Sequence, residues 1–222
     1  MDKVMSKPST IAIDGPVAAG KTTIGTRLAN ELGYTFVDTG VMYRALTWKA
    51  LKLKVPLDDE EELSSLAANT KIEFASGGSS VFVNGKDISN GIRSLEVEAA
   101  VSLVSKVAGV RRVLVEQQRR LAKNGKIVMA GRDIGTTVLP QAGLKVFLEA
   151  SVEERAKRRY LEMVQRGEKV AYETILNDLK RRDEIDSKRA ISPLEAAPDA
   201  RIINTDGLGP DKVLSLILSM AN

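Results

Sequence analysis

The chain has no cysteine and no histidine in its 222 residues. Without cysteine there can be no disulfide, no zinc–thiolate site and no thiol nucleophile, and a reducing compartment is permitted. Without histidine, Ser-His-Asp hydrolysis, imidazole general bases, histidine metal sites and phosphohistidine relays are excluded. Aromatic residues are only 4% of the chain, which leaves few platforms for stacking nucleic-acid bases. No apolar run approaches the length of a membrane span. The longest near the end, Val213 to Ala221, is broken by serines, and Met1 to Ser9 is polar and lacks a signal-peptide core. A soluble cytoplasmic protein is expected.

What is present suffices for a sizeable core: 43% of the residues are apolar. The length suits one domain, or one domain carrying a small insertion. Net charge is a modest +4, with a pI near 9.2. Basic residues gather around Arg111–Arg120 and Arg155–Arg189, an arrangement open to small anions or to nucleic acid.

The stretch that organises the chain is Thr10 to Thr23, TIAIDGPVAAGKTT. An apolar run leads into Gly15-Pro16-Val17-Ala18-Ala19-Gly20-Lys21-Thr22-Thr23, a complete phosphate-loop pattern between an expected strand and an expected helix. Glycines let the backbone curl so that successive N–H groups face phosphate oxygens, and the helix adds its positive end. Lys21 can reach the β- and γ-phosphates of a nucleotide, while the Thr22 hydroxyl can hold Mg²⁺.

Beyond the loop, Ile24, Leu28 and Leu32 recur at helical spacing and Gly33 stops the helix. Tyr34 to Val37 reads as a strand, followed by a helix with Met42, Leu46, Ala50 and Leu53 on one side and Pro56 as its close. This opening predicts an α/β fold with a doubly wound parallel sheet. Lys71 to Ala75 and Ser80 to Val83 are β-like, joined by Ser76-Gly77-Gly78-Ser79, and Asn84-Gly85 is a hairpin signal. A small antiparallel β insertion is expected over residues 63–93, within a core of residues 10–62 and 94–222. A plain hairpin of the main sheet is the alternative. Two helices broken near Gly109 are expected from Ser94 to Lys123. Strands follow at Lys126–Met129 and Leu144–Leu148, then a charged helix with a capping box at Ser151 and Glu154. Gly167 interrupts it, a basic helix runs from Tyr172 to Ala190, and a strand at Arg201–Asn204 precedes a last helix entered at Gly209-Pro210-Asp211.

Arg132-Asp133 falls just past a strand, where open α/β sheets bind ligands. Arg182, Asp186 and Arg189 share a helix face at i, i+4 and i+7, a spacing that equally describes a solvated salt-bridge stripe. Arg155, Arg158 and Arg159 form a second one-sided cluster, readable as a phosphate-closing lid over residues 153–170 or as solvated charge. Together these residues describe phosphoryl transfer with arginine stabilisation. No general base is evident, and none is needed if the acceptor is a phosphate monoester, whose second pKa near ~6 leaves it ionised at neutral pH.

With those residues in view the chain resembles the bacterial cytidylate kinases of the P-loop nucleoside monophosphate kinase superfamily. The resemblance rests on Ile13 to Thr22, Asp38-Thr39-Gly40-Val41-Met42-Tyr43-Arg44, Arg111, Ala130-Gly131-Arg132-Asp133-Ile134-Gly135 and the Arg182-Asp183…Asp186…Arg189 helix. It implies that Thr39, Tyr43 and Arg44 meet the acceptor nucleotide, with Arg44 and Arg132 on its phosphate. It also implies that Ser102, Arg111, Asp133 and Arg189 contact the cytosine ring, and that Arg182 and Asp186 reach the sugar hydroxyls. Lys21, Arg132 and Arg158 are the implied catalytic cations. ATP and CMP or dCMP are the implied partners of a monomer, with Mg²⁺ and without nucleic acid or membrane. A P-loop kinase of another acceptor, or a GTP-dependent switch, is the competing reading. Asp206-Gly207-Leu208-Gly209 spells D-x-x-G, but no guanine-reading N-K-x-D occurs.

Overall fold

The computed structural model describes residues 7–75 and 80–221; the expected Ser76–Ser79 connection lies outside them. The central layer is a five-stranded sheet in the order β2-β6-β1-β7-β8, built from β1 (Thr10–Asp14), β2 (Thr35–Asp38), β6 (Ile127–Ala130), β7 (Leu144–Glu149) and β8 (Arg201–Asn204). Every pairing in it is parallel. Parallel strands need crossovers, and helices cover both faces, so the inner strands read as unbroken apolar runs rather than alternating ones. Thus Ile11, Ala12 and Ile13 on β1 are fully buried, as are all four residues of β6. On one face α1 (Lys21–Leu32) and α8 (Pro210–Ala221) pack Ile24, Leu28, Val213 and Ile217 against Ile11, Ile13, Val128 and Leu148. The opposite face gathers Ala12, Val37, Met129 and Ile134.

Between β2 and β6 the chain builds a second layer: α2 (Thr39–Leu53), α3 (Glu60–Ala68), β3 (Ile72–Phe74), β4 (Val81–Val83), β5 (Lys86–Asp87), α4 (Leu95–Ser105) and α5 (Ala108–Ala122). The three short strands form their own antiparallel sheet, β3-β4-β5, separate from the main one. Asn84 and Gly85 both have positive φ, 50° and 79°, as a two-residue type I′ turn between β4 and β5 requires. Met42, Leu46, Leu63, Val81, Val83, Val104 and Leu114 share one apolar cluster that binds this sheet to α2, α3, α4 and α5. The last elements, α6 (Val152–Gln165) and α7 (Tyr172–Lys188), form a hairpin around Ala156, Met163, Ile175 and Leu179.

Several local expectations are corrected. Leu53 is 60% exposed, because α2 ends there and Lys54 turns left-handed at φ 58°. The break between α4 and α5 falls at Lys106-Val107, while Gly109 lies inside α5. That glycine serves packing: a Cβ on it would meet Ser64 Oγ at 2.0 Å and Ser64 Cβ at 2.6 Å. It lets α5 lie close against α3. α7 stops at Lys188, and Arg189 is already extended.

Gly109→Ala therefore sets helix propensity, which favours alanine by ~0.8–1 kcal/mol, against overpacking that costs ~1–3 kcal/mol. Urea unfolding should show net destabilisation in the parent chain. In a Ser64→Gly background the same change should become neutral or stabilising, a reversal of sign that a non-packing role for Gly109 would not produce.

Candidate active site

The site forms above the C-terminal ends of β1, β2 and β6. Gly15 leaves β1 at φ 143°, and a Cβ there would lie 2.2 Å from the Leu148 carbonyl oxygen of β7. Only glycine fits a loop pressed so closely onto a neighbouring strand. Gly20 at φ 95° then turns the chain into α1 without a side-chain cap, leaving the first amides of the helix free for an anion. Inside the loop, Lys21 Nζ donates to the Pro16 carbonyl at 2.6 Å. Burial and the neighbouring Arg132 hold its pKa well below the ordinary lysine range, although Asp38, Asp14 and Asp186 pull the other way.

Two aspartates at strand ends, quoted within the sequence motifs but given no role there, tie the loop to its surroundings. Asp38 accepts from the Thr22 hydroxyl at 2.7 Å with one oxygen and from Gly40 N at 2.9 Å with the other. It thereby caps α2 and links it to α1. Asp14, at the end of β1, accepts from the backbone amides of Ile134 and Gly135 at 2.8 and 2.7 Å. These amides open a single wide helical turn, Ile134–Val138, so Asp14 anchors the segment that carries Arg132 and Asp133. The placement of both aspartates just before a loop, at the carboxyl end of a parallel strand, was the available signal.

The acceptor-side residues converge from α2, α5, the β6 loop and α7. Thr39 Oγ1 donates to the Ala130 carbonyl at 2.9 Å, joining the start of α2 to the end of β6. Asp133 is buried and paired with the Arg111 guanidinium, while Arg189 Nη2 faces its other oxygen at 3.7 Å. Arg111 also lies over the Tyr43 ring at 5.5 Å, and burial pushes the Tyr43 hydroxyl up to about 12. Arg132 is paired instead with Asp186, Nε to Oδ2 at 2.8 Å. Arg182 and Asp186 are each only 6% exposed, which excludes a solvated salt-bridge stripe. Ser102 is buried on α4, where its carbonyl accepts from the Ser105 hydroxyl.

The α6–α7 hairpin brings further arginines with different destinations. Arg155, 4% exposed, donates to the Val17 carbonyl of the phosphate loop at 3.2 Å and to both oxygens of Asp183. Arg159 donates to Glu98 on α4 at 2.5 and 2.7 Å. Arg158 turns away, to Glu154 and to the hydroxyl and carbonyl of Thr205 after β8. In this arrangement Arg155, rather than Arg158, touches the phosphate loop; only its surroundings, and not its spacing, distinguish it from its two neighbours.

The electrostatics of the cleft are those of an anion site. Burial first, then the like charges of Arg132 and Arg44, lower Arg182 to about 10, and its buried Nε has no hydrogen-bond partner. Lys21 experiences Arg132 in the same sense. Crowded cations with an unpaired buried N–H are stabilised by an incoming phosphate.

A protein-family model described as cytidylate kinase matches residues 11–222. The chain belongs to the cytidylate kinase family. The cytidylate kinase of Geobacillus sp. (strain WCH70) is 54% identical over 214 residues, covering 96% of this chain and 96% of that protein. The cytidylate kinase of Bacillus subtilis (strain 168) is 49% identical over 216 residues, again covering 96% of each. Among solved structures, an uncharacterized protein from Eubacterium ventriosum ATCC 27560 superposes with a TM-score of 0.51 at 15% identity, covering 96% of this chain and 97% of that one, a likeness of fold. The protein is thus a P-loop kinase, an enzyme of the phosphotransferase class. Among the described residues no helix is long and apolar enough to cross a membrane.

Burial raises Asp14 from 3.8 to about 6, against the lowering effect of the Gly135 and Ile134 amides. A raised carboxyl pKa means that the folded state binds a proton the unfolded state lacks between about pH 4 and 6. Asp14 therefore contributes stability that is lost as pH rises through that window, up to ~3 kcal/mol at 1.36 kcal/mol per unit. Other carboxylates titrate in the lower part of the same window, so the comparison with Asp14→Asn isolates the contribution of this residue. The urea midpoint of nucleotide-free protein, measured from pH 4 to 8 as a difference from Asp14→Asn, should decline to about pH 6 and then flatten.

Proposed function

We propose that the enzyme transfers the γ-phosphoryl group of ATP to CMP or dCMP, giving ADP and CDP or dCDP. The observation that carries this reading is the convergence of Lys21, Arg44, Arg132 and Arg182 beside a complete phosphate loop, together with the family. The loop residues Gly15 to Thr23 hold the ATP phosphates through backbone amides, and Lys21 offsets charge on the transferring group. Arg44 and Arg132 hold the acceptor phosphate. Its ionised oxygen is already a nucleophile, so alignment and charge stabilisation suffice without a general base. Arg182 and Asp186 face the sugar, while Thr39, Tyr43, Ser102, Arg111, Asp133 and Arg189 surround the base. The paired Thr22 hydroxyl and Asp38 carboxylate supply the hard oxygens that suit Mg²⁺. Bound Mg²⁺ would neutralise charge on the β- and γ-phosphates.

The small β sheet and its flanking helices serve as the acceptor-side unit, residues 63–93 in the sequence-based division. The lid about residues 153–170 closes with α7, because the two helices share an apolar core that includes Val17 of the loop. Arg158 joins the phosphates only after leaving Thr205. The enzyme works as a cytoplasmic monomer on small nucleotides.

A coupled assay of ADP formation with CMP, dCMP, UMP, AMP and GMP in parallel tests the substrate, and the two cytosine nucleotides should stand well above the rest. Lys21→Ala should lose several orders of magnitude in kcat with the fold retained, given that one charge-stabilising group is worth ~3–4 kcal/mol; near-normal turnover would overturn the phosphate-loop role.

Base selection rests on Asp133. Cytosine presents an exocyclic amine donor where uracil presents an acceptor oxygen, so a carboxylate attracts the first and repels the second. Arg111 and Arg189 fix the direction of Asp133; its partner is not Arg132. Asp133→Asn should lower CMP activity and narrow the CMP-to-UMP ratio of kcat/KM by up to ~1–3 kcal/mol. An unchanged ratio in a folded, nucleotide-binding variant would refute base reading by this residue.

A further inference from the structure

Glu98 lies outside the residues that meet nucleotide in the reading above, yet it is placed among three of the cleft's arginines. It sits in the first turn of α4, on the acceptor side. Both its oxygens receive Arg159 Nη2, at 2.5 and 2.7 Å, while Arg159 Nη1 donates to Glu162 of α6 itself at 3.0 Å, so one guanidinium nitrogen of the lid helix α6 is held by a carboxylate of α4. The pair is mostly shielded, with side chains 18% and 20% exposed. Burial alone would raise the Glu98 pKa, but Arg159, with further help from Arg44 and Arg182, holds it below the usual carboxylate range. The other arginines of the hairpin bond within it or to the adjoining loops: Arg155 to Asp183, Ala150 and Val17, and Arg158 to Glu154 and Thr205. The Arg159–Glu98 pair joins α6 to α4 across the cleft.

A carboxylate that meets a guanidinium through two oxygens makes the same kind of charge-assisted contact that a phosphate makes. We propose that Glu98 is a positioning residue that occupies Arg159 in place of a nucleotide phosphate, tethering the lid to α4 in the nucleotide-free enzyme and releasing Arg159 when the phosphates arrive. The inference rests on the phosphoryl-transfer reading for the identity of the competitor. The tether itself requires only the nucleotide-free protein. Competition predicts opposite signs for the two halves of the pair. Removing Glu98 frees Arg159 for phosphate, whereas removing Arg159 deprives the phosphate of a partner.

The test combines hydrogen exchange of the α6 amides without nucleotide and calorimetric titration with Mg-ATP, on Glu98→Gln, Glu98→Ala and Arg159→Ala. All three variants should exchange faster in α6 without nucleotide. Glu98→Gln and Glu98→Ala should bind ATP about threefold or more tightly than the parent, while Arg159→Ala should bind it more weakly. Weaker ATP binding by both Glu98 variants would mean that the pair is only structural and would overturn the proposal, as would unchanged α6 exchange. Failure of the parent protein to bind ATP at all would instead refute the nucleotide reading, and the exchange result would stand apart from it.

Discussion

Like charges repel, and the cleft above β1 and β6 nevertheless holds Lys21, Arg44, Arg132 and Arg182 near one another, mostly out of water. The arrangement persists because carboxylates face these cations: Asp38 and Asp14 act on Lys21, Asp186 pairs with Arg132, and Asp178 and Glu98 act on Arg182. Each buried pair alone is weak support for the fold, since desolvation consumes much of the Coulombic gain. Their shared effect is a cleft whose cations are held in fixed directions, which the proposed reaction would use to receive phosphate. In the proposed reaction such preorganisation would leave little reorganisation for the transfer step.

The scaffold makes this arrangement possible by placing strand ends side by side. Parallel pairing brings Asp14, Asp38 and Ala130 to one edge of the sheet, in register Asp38 with Ala130 and Ala130 with Ile13. From that edge Asp14 reaches across to the Ile134 and Gly135 amides, and Asp38 reaches Thr22. Two short carboxylates thus fix the phosphate loop, the start of α2 and the Arg132-Asp133 segment relative to one another. A rigid base of this kind suits a reaction whose main requirement is alignment. The α6–α7 hairpin is held differently, by its own small apolar cluster and by polar clasps. A unit with few apolar contacts to the core opens more easily than the sheet it rests on.

Local patterns carried much of this in the sequence. The glycines and lysine of Gly15 to Thr23 need a particular backbone, so their spacing announced the loop, and Ile24, Leu28 and Leu32 announced the helix behind it. Apolar runs such as Ile127–Ala130 marked strands covered on both faces, and Asn84-Gly85 marked the hairpin because few residue pairs accept two positive φ values. The absence of histidine excluded imidazole general bases.

Other features depend on partners far along the chain. Spacing could not distinguish a solvated stripe from a buried cluster at Arg182 and Asp186, because exposure is decided by what α7 packs against. It could not separate Arg155 from Arg158, which stand three residues apart on α6 and turn to opposite sides. Nor could it show that Gly109 is an interhelical contact, a fact that belongs to Ser64. What the residues themselves determined is the loop, the alternation of strands and helices and the class of chemistry, since each follows from local backbone preference or side-chain type. Which carboxylate holds which arginine was decided only when the tertiary structure brought residues from 22 to 61 positions apart to within hydrogen-bond reach, as it does for Arg111 and Asp133 and for Arg159 and Glu98.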